Sequence, residues 1–168
     1  MSDIPILKFN LKNEVSQIKD ELINDVLKYK HCDSSEDFNF EVMSKHNDYL
    51  YNIFITKCRK HLNNFTLYDN NFILWCYYSN KDYHKGNVWH NHIETSTINS
   101  VLYIETVKDK GIEFEHNGNH HYIEPEEFDF LIFPDFLNHL PRVSKNKRRI
   151  SFNMELRCKE KSTDIFKL

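Results

Sequence analysis

A mainly β fold, a jelly roll carrying an N-terminal layer of helices, is what this 168-residue sequence predicts. Two observations predict it. Up to about residue 62 apolar side chains recur at three- and four-residue steps; after Asn70 they gather into short β-branched and aromatic segments separated by Asn, Asp, Lys and Gly. A third observation bounds it. No repeat, Gly/Ser linker or Pro-rich tract divides the chain, so a single domain over 1–168 is expected, with a helical layer at 1–70, a β core at 71–157 and a tail at 158–168.

The first helix is predicted from Asn13 to Lys30, where Val15, Ile18, Leu22, Ile23, Val26 and Leu27 form one apolar stripe between Lys, Asp and Glu. A second is predicted over 40–62 through Val42, Met43, Leu50, Ile53, Phe54 and Cys58, entered from Ser34-Ser35-Glu36-Asp37. Eight strands are then expected at 71–78, 87–92, 99–106, 111–116, 120–124, 128–133, 137–143 and 148–157. The loop Glu115-His116-Asn117-Gly118-Asn119-His120-His121 reads as a hairpin tip on the surface. Trp75, Tyr77, Tyr78, Tyr83 and Trp89 read as core or mouth aromatics, some of them lining an entrance.

Composition removes several function classes. A hydrophobic fraction of 40% with 13 Phe and 9 Tyr belongs to a folded chain. A net charge of −3 gives no global reason to bind nucleic acid or an anionic membrane, and the one dense basic run, Lys145-Asn146-Lys147-Arg148-Arg149, is the usual composition of a solvated turn before a strand. Cys32, Cys58, Cys76 and Cys158 contain no CxxC pair, which predicts free thiols in a reducing compartment. Residues 1–13 lack the pattern of a secretory signal and no apolar run approaches the ~20 residues of a membrane span, so a cytoplasmic location is expected.

The chemistry concentrates in Trp89-His90-Asn91-His92-Ile93-Glu94, in the distant His139, and in Arg149 with Ser151. On a strand, residues two apart share a face, so His90 with His92, or His92 with Glu94, can hold one ion. A lone HxH on a polar strand is usually solvated; a third histidine and a following arginine change that reading. Imidazole and carboxylate donors suit Fe, Mn, Zn or Ni. Arg149 and Ser151 share one face of the last strand while Ile150, Phe152 and Met154 take the other, and a buried guanidinium beside a hydroxyl matches a carboxylate. Arg148 is the reserve candidate if the register slips by one.

These residues resemble the Fe(II)/2-oxoglutarate-dependent oxygenases, closest to the small prolyl-hydroxylase-like group found in bacteria and their phages. The resemblance rests on Trp89-His90-Asn91-His92, Val101-Leu102-Tyr103, Gly111-Ile112-Glu113-Phe114, Pro125-Glu126-Glu127, Phe133-Pro134, His139 and Arg149-Ile150-Ser151-Phe152-Asn153, and spans 71–157. It implies a double-stranded β-helix, an Fe(II) centre, and 2-oxoglutarate held by Arg149 and Ser151 with Tyr103 hydrogen-bonded to the same cosubstrate. Oxygen and a protein side chain, nucleobase or small metabolite are the implied co-reactants, with decarboxylation to succinate. Specificity is then expected to lie in the helical layer and in loops at 79–88 and 107–121.

Two departures stand out. His92 occupies the place where the family has Asp or Glu, so the ligand set is His90, His92 and His139 or else His92, Glu94 and His139, the first being preferred. Glu127 replaces a turn glycine. Three histidines also resemble the cupin-like dioxygenases that use no cosubstrate, and a non-catalytic jelly roll that binds a protein or sugar is the reading from a different class.

Overall fold

The computed structural model describes residues 4–30, 38–41, 44–79, 88–142 and 147–167. Among the described residues nine strands form two antiparallel sheets: β1 (Leu7–Asn10), β2 (Phe38–Glu41), β3 (Leu67–Ser79), β4 (Ile98–Glu105), β7 (Asp129–Pro134) and β9 (Arg149–Cys158) in the larger, β5 (Ile112–His116), β6 (Asn119–Ile123) and β8 (Asn138–Pro141) in the smaller. The larger sheet runs β1-β7-β4-β9-β3-β2 and the smaller β6-β5-β8. Helices α1 (Lys12–Val15) and α2 (Lys19–Lys30), joined by a 3-10 turn at Ser16–Ile18, precede α3 (Asn47–His61), and a short α4 (Ser162–Ile165) closes the chain. None of the described helices is long and apolar enough to cross a membrane.

Alternation along the central strands assigns the two faces of the large sheet. Ile98, Leu102 and Ile104 of β4, Phe130 and Ile132 of β7, and Ile150, Phe152, Met154 and Leu156 of β9 join Leu22 and Val26 of α2 and Leu50, Phe54 and Cys58 of α3 in one buried cluster. Leu50, Phe54 and Cys58 stand four residues apart, a single stripe, and Phe54 meets Phe130 edge-on at 5.7 Å. The opposite face carries Val101, Tyr103, Leu131 and Phe133, which pack with Ile112 and Phe114 of the small sheet. A strand buried on both faces cannot show polar alternation, which is why β4 is buried at every residue but its last.

Several expectations are corrected. The second helix begins at Asn47, because residues 38–41 pair with Tyr78 to Trp75 as an edge strand. Its expected entry at Ser34–Asp37 lies outside the described residues. No strand forms at 88–92: the chain makes one bridge, His90 to His139, and then turns at 93–95. β1 was not expected; it pairs with β7 from Leu7 opposite Ile132 to Asn10 opposite Asp129. The histidine-rich loop does form a hairpin, β5–β6, whose tip residues Asn117 and Gly118 have φ of 52° and 76°, the conformation that Asn-Gly supplies. Gly111, at the start of β5, is required by close approach: a Cβ there would lie 1.9 Å from the Ile123 carbonyl oxygen.

At the turn that holds Glu127, the left-handed residue is Phe128, with φ of 70°. Asp129 holds this turn. It accepts from the Glu126 N–H at 2.8 Å, from Asn10 Nδ2 at 3.0 Å and from Lys8 Nζ at 2.8 Å. Burial pushes the Asp129 carboxyl up, but Lys8 and these N–H donors outweigh it and hold the group below 3.8. A depressed carboxylate contributes stability that is present above its unfolded pKa and lost as pH falls through the folded value. The Asp129→Asn variant is therefore expected to be less stable at pH 7 by about 1–3 kcal/mol, with the difference shrinking below pH ~4; urea midpoints at pH 7 and pH 3 measure this, and a constant gap would contradict it.

Candidate active site

Between the two sheets lies a cavity of about 290 Å³, lined from the large sheet by Tyr77, Asn99, Arg149, Ser151, Asn153 and Glu155 among others. These are odd-numbered residues of β3, β4 and β9, the face turned away from the helices. Among the described residues no helix lines the cavity. Much of the 79–88 loop lies outside the described residues.

His90, His92 and His139 reach one end of this cavity from the 88–92 segment and from β8, and their ligand atoms lie within 4.8 Å of one another. The backbone enforces the convergence: His90 and His139 exchange both N–H to O bonds, at 3.1 and 2.9 Å, and the His92 N–H donates to the Asp135 carbonyl at 2.8 Å. The rings of His90 and His139 are 4.2 Å apart, and that of His92 is 5.3 and 5.1 Å from them. Glu94, the alternative ligand, is exposed on the turn at 93–95 and outside this group.

Each ring is oriented through Nδ1. His90 Nδ1 donates to the Val88 carbonyl at 2.9 Å, His139 Nδ1 to the Leu137 carbonyl at 3.0 Å, and His92 Nδ1 lies 3.5 Å from Glu155 Oε1 and from Thr95 Oγ1. A proton on Nδ1 leaves Nε2 as the lone-pair nitrogen, the arrangement found in metal-bound histidines. Burial pushes the His139 imidazole down to about 3 and the His92 imidazole down to about 4, with His90 adding to both shifts. These two rings are neutral at pH 7. Three nitrogen donors at this spacing fit a borderline divalent metal such as Fe(II), Ni(II) or Zn(II).

Arg149 is 1% exposed. Its Nε donates to the Lys110 carbonyl at 3.0 Å, its carbon centre stands 5.2 Å from the Tyr77 ring and 5.3 Å from the Tyr103 ring, and its Nη1 has no hydrogen-bond partner. The buried hydroxyl of Tyr103 and Nδ2 of Asn99 also lack partners. Burial pushes the Tyr103 phenol up to about 12, against the pull of Arg149 beside it. Orphaned buried donors are costly to leave unmade. Arg149 and Asn99 line the cavity and the Tyr103 ring stands beside Arg149, an arrangement that fits an anionic, oxygen-rich molecule seated there. Ser151, buried one step along β9, adds a hydroxyl. Arg148 points elsewhere, bidentate on Glu105 with both contacts at 2.5 Å.

Sequence reasoning missed Asn99, Asn153 and Glu155. The signal was available: Asn153 and Glu155 extend the i, i+2 row already drawn through Arg149 and Ser151, and Asn99 stands four residues before Tyr103 on the same strand.

No family model and no curated relative matches the sequence. Solved structures do. A Pseudomonas putida prolyl-4-hydroxylase superposes with a TM-score of 0.65 at 10% identity, covering 95% of each chain. The viral collagen prolyl hydroxylase of Paramecium bursaria Chlorella virus-1, solved with 2-oxoglutarate, gives 0.57 at 14% identity over 90% of this chain and 94% of that one. HygX from Streptomyces hygroscopicus, with nickel and 2-oxoglutarate bound, gives 0.64 at 10% identity over 90% and 83%. The chain has the fold of the 2-oxoglutarate/Fe(II) oxygenases.

Proposed function

We propose that this protein is an Fe(II)- and 2-oxoglutarate-dependent dioxygenase that hydroxylates its substrate, built as a single-domain double-stranded β-helix. The observation that carries the reading is the buried Arg149, its Nη1 without a partner, in the same cavity as three converging histidines. A structural arginine would have an acid beside it; this one faces a space with room for one. A three-histidine dioxygenase without a cosubstrate would need that charge only if its substrate were itself an anion.

In this reading His90, His92 and His139 hold the iron, each presenting Nε2 because Nδ1 is engaged elsewhere. Arg149 binds the distal carboxylate of 2-oxoglutarate, with the Ser151 and Tyr103 hydroxyls completing the cradle. When bound, iron and 2-oxoglutarate supply the oxidation: O2 is consumed, 2-oxoglutarate gives succinate and CO2, and one oxygen atom enters a substrate C–H bond. The chain itself orients and encloses. Val101, Ile112 and Phe133 wall the cavity with hydrocarbon, which excludes water and strengthens every charge interaction inside it.

Purified protein with Fe(II), ascorbate and 2-oxoglutarate is expected to form succinate slowly even without a substrate, and to stop when a chelator is added. Absence of succinate, together with no stabilisation by 2-oxoglutarate in thermal unfolding of the metal-loaded protein, would overturn the assignment.

A further inference from the structure

We infer that Glu155 is the positioning residue that replaces, one contact further out, the carboxylate missing from the metal ligands. This rests on the metal site of the proposed function and adds a role to a residue outside the ligand set. Glu155 is the only carboxylate lining the cavity among the described residues. Its Oε1 lies 3.5 Å from Nδ1 of His92, the residue standing where an acidic ligand is usual in the family this chain resembles. In the sheet it is paired with Asn99 of β4 on one side and Ile73 of β3 on the other, and its carboxylate is hydrogen-bonded with Ser96.

Charge bookkeeping gives the physical reason. Three neutral imidazoles leave a divalent ion its full +2, and Arg149 adds +1 in the same enclosed space. A dianionic acid leaves one positive charge over, which a low-dielectric cavity tolerates poorly. Burial pushes the Glu155 carboxyl up, against the pull of Arg157 and a hydrogen bond with Ser96; ionised beside a bound divalent ion, it supplies the missing negative charge. Through His92 Nδ1 it also raises the donor strength of Nε2 and fixes the ring, the function that carboxylates behind metal-bound histidines perform.

The test is anaerobic titration with Co(II) alone, followed by calorimetry and by the visible d–d spectrum. The Glu155→Gln variant, close in shape, is expected to bind Co(II) roughly 10- to 100-fold more weakly with shifted bands. In a His92→Asp background, where a carboxylate sits on the ion itself, the same substitution is expected to change affinity less than about threefold, the coupling expected of residues acting as one unit. Glu155→Ala serves in the same comparison if the Gln variant does not fold. Affinity and spectrum unchanged in Glu155→Gln, or an equal loss in both backgrounds, would overturn the inference while leaving the metal site standing. Failure of the unsubstituted protein to bind Co(II) would remove the metal site and the inference together.

Discussion

Replacing Arg149 by Met is expected to abolish 2-oxoglutarate binding to the metal-loaded protein, with a loss of two to three orders of magnitude in affinity, and to leave the ligand-free fold no less stable. The first half follows from the strength of a buried charge-assisted pair, roughly 3–4 kcal/mol when one partner is removed. The second follows from what Arg149 does without its ligand: its charge is enclosed, its Nη1 has no partner, and among the described residues the bond donated to the Lys110 carbonyl and the neighbouring Tyr77 and Tyr103 side chains offset the burial. A hydrophobic side chain of similar length relieves that arrangement. Calorimetry with 2-oxoglutarate and thermal unfolding without it read the two halves separately. Arg148→Met, which breaks only the partly exposed pair with Glu105, is expected to leave 2-oxoglutarate affinity unchanged. Retention of 2-oxoglutarate binding within about threefold in Arg149→Met would overturn the role given to this guanidinium.

The second large effect is expected at His139. Its substitution by Ala removes one of three converging donors, and if each ligand is worth roughly 3 kcal/mol, Co(II) affinity falls about 100-fold or more. Glu94→Gln is the informative partner. Glu94 lies on the exposed turn, so its loss is expected to leave metal affinity within about twofold, whereas a strong dependence on Glu94 would restore the alternative ligand register. Both variants are measured by the same titration, which makes the comparison internal.

The parts of this fold legible in the sequence are those where one face is polar or where alternation and burial agree. The first helix, the hairpin at Asn117-Gly118 and the longer strands β3 and β9 carry such signals, while β4 and β7, buried on both faces, read as apolar runs between turn residues. β1 and β2 do alternate, as Leu7-Lys8-Phe9-Asn10 and Phe38-Asn39-Phe40-Glu41, but each is only four residues long, too short for the pattern to stand out, and a neighbour's free edge, β7 for one and β3 for the other, makes them strands. The three histidines were found by spacing, but on an incorrect premise. Their convergence comes from a bridge and a turn stapled to Asp135 and His139 by backbone hydrogen bonds, and no period in the sequence encodes those long-range contacts. Arg149 was found because a strand's two-residue period does encode which side chains share a face, and Glu155 was overlooked because that same row was not followed to its end.

β9 carries its two side-chain rows in a single ribbon: Arg149, Ser151, Asn153 and Glu155 toward the cavity, Ile150, Phe152, Met154 and Leu156 into the seam with the helices. Losing or gaining one amino acid inside this ribbon would swap the rows, sending a guanidinium and a carboxylate into hydrocarbon and leucine-like groups toward the histidines. Residue identity along this segment is therefore open to gradual change, but its length is not, and frame-preserving single-codon insertions and deletions here should prove far more damaging than in the β5–β6 hairpin tip.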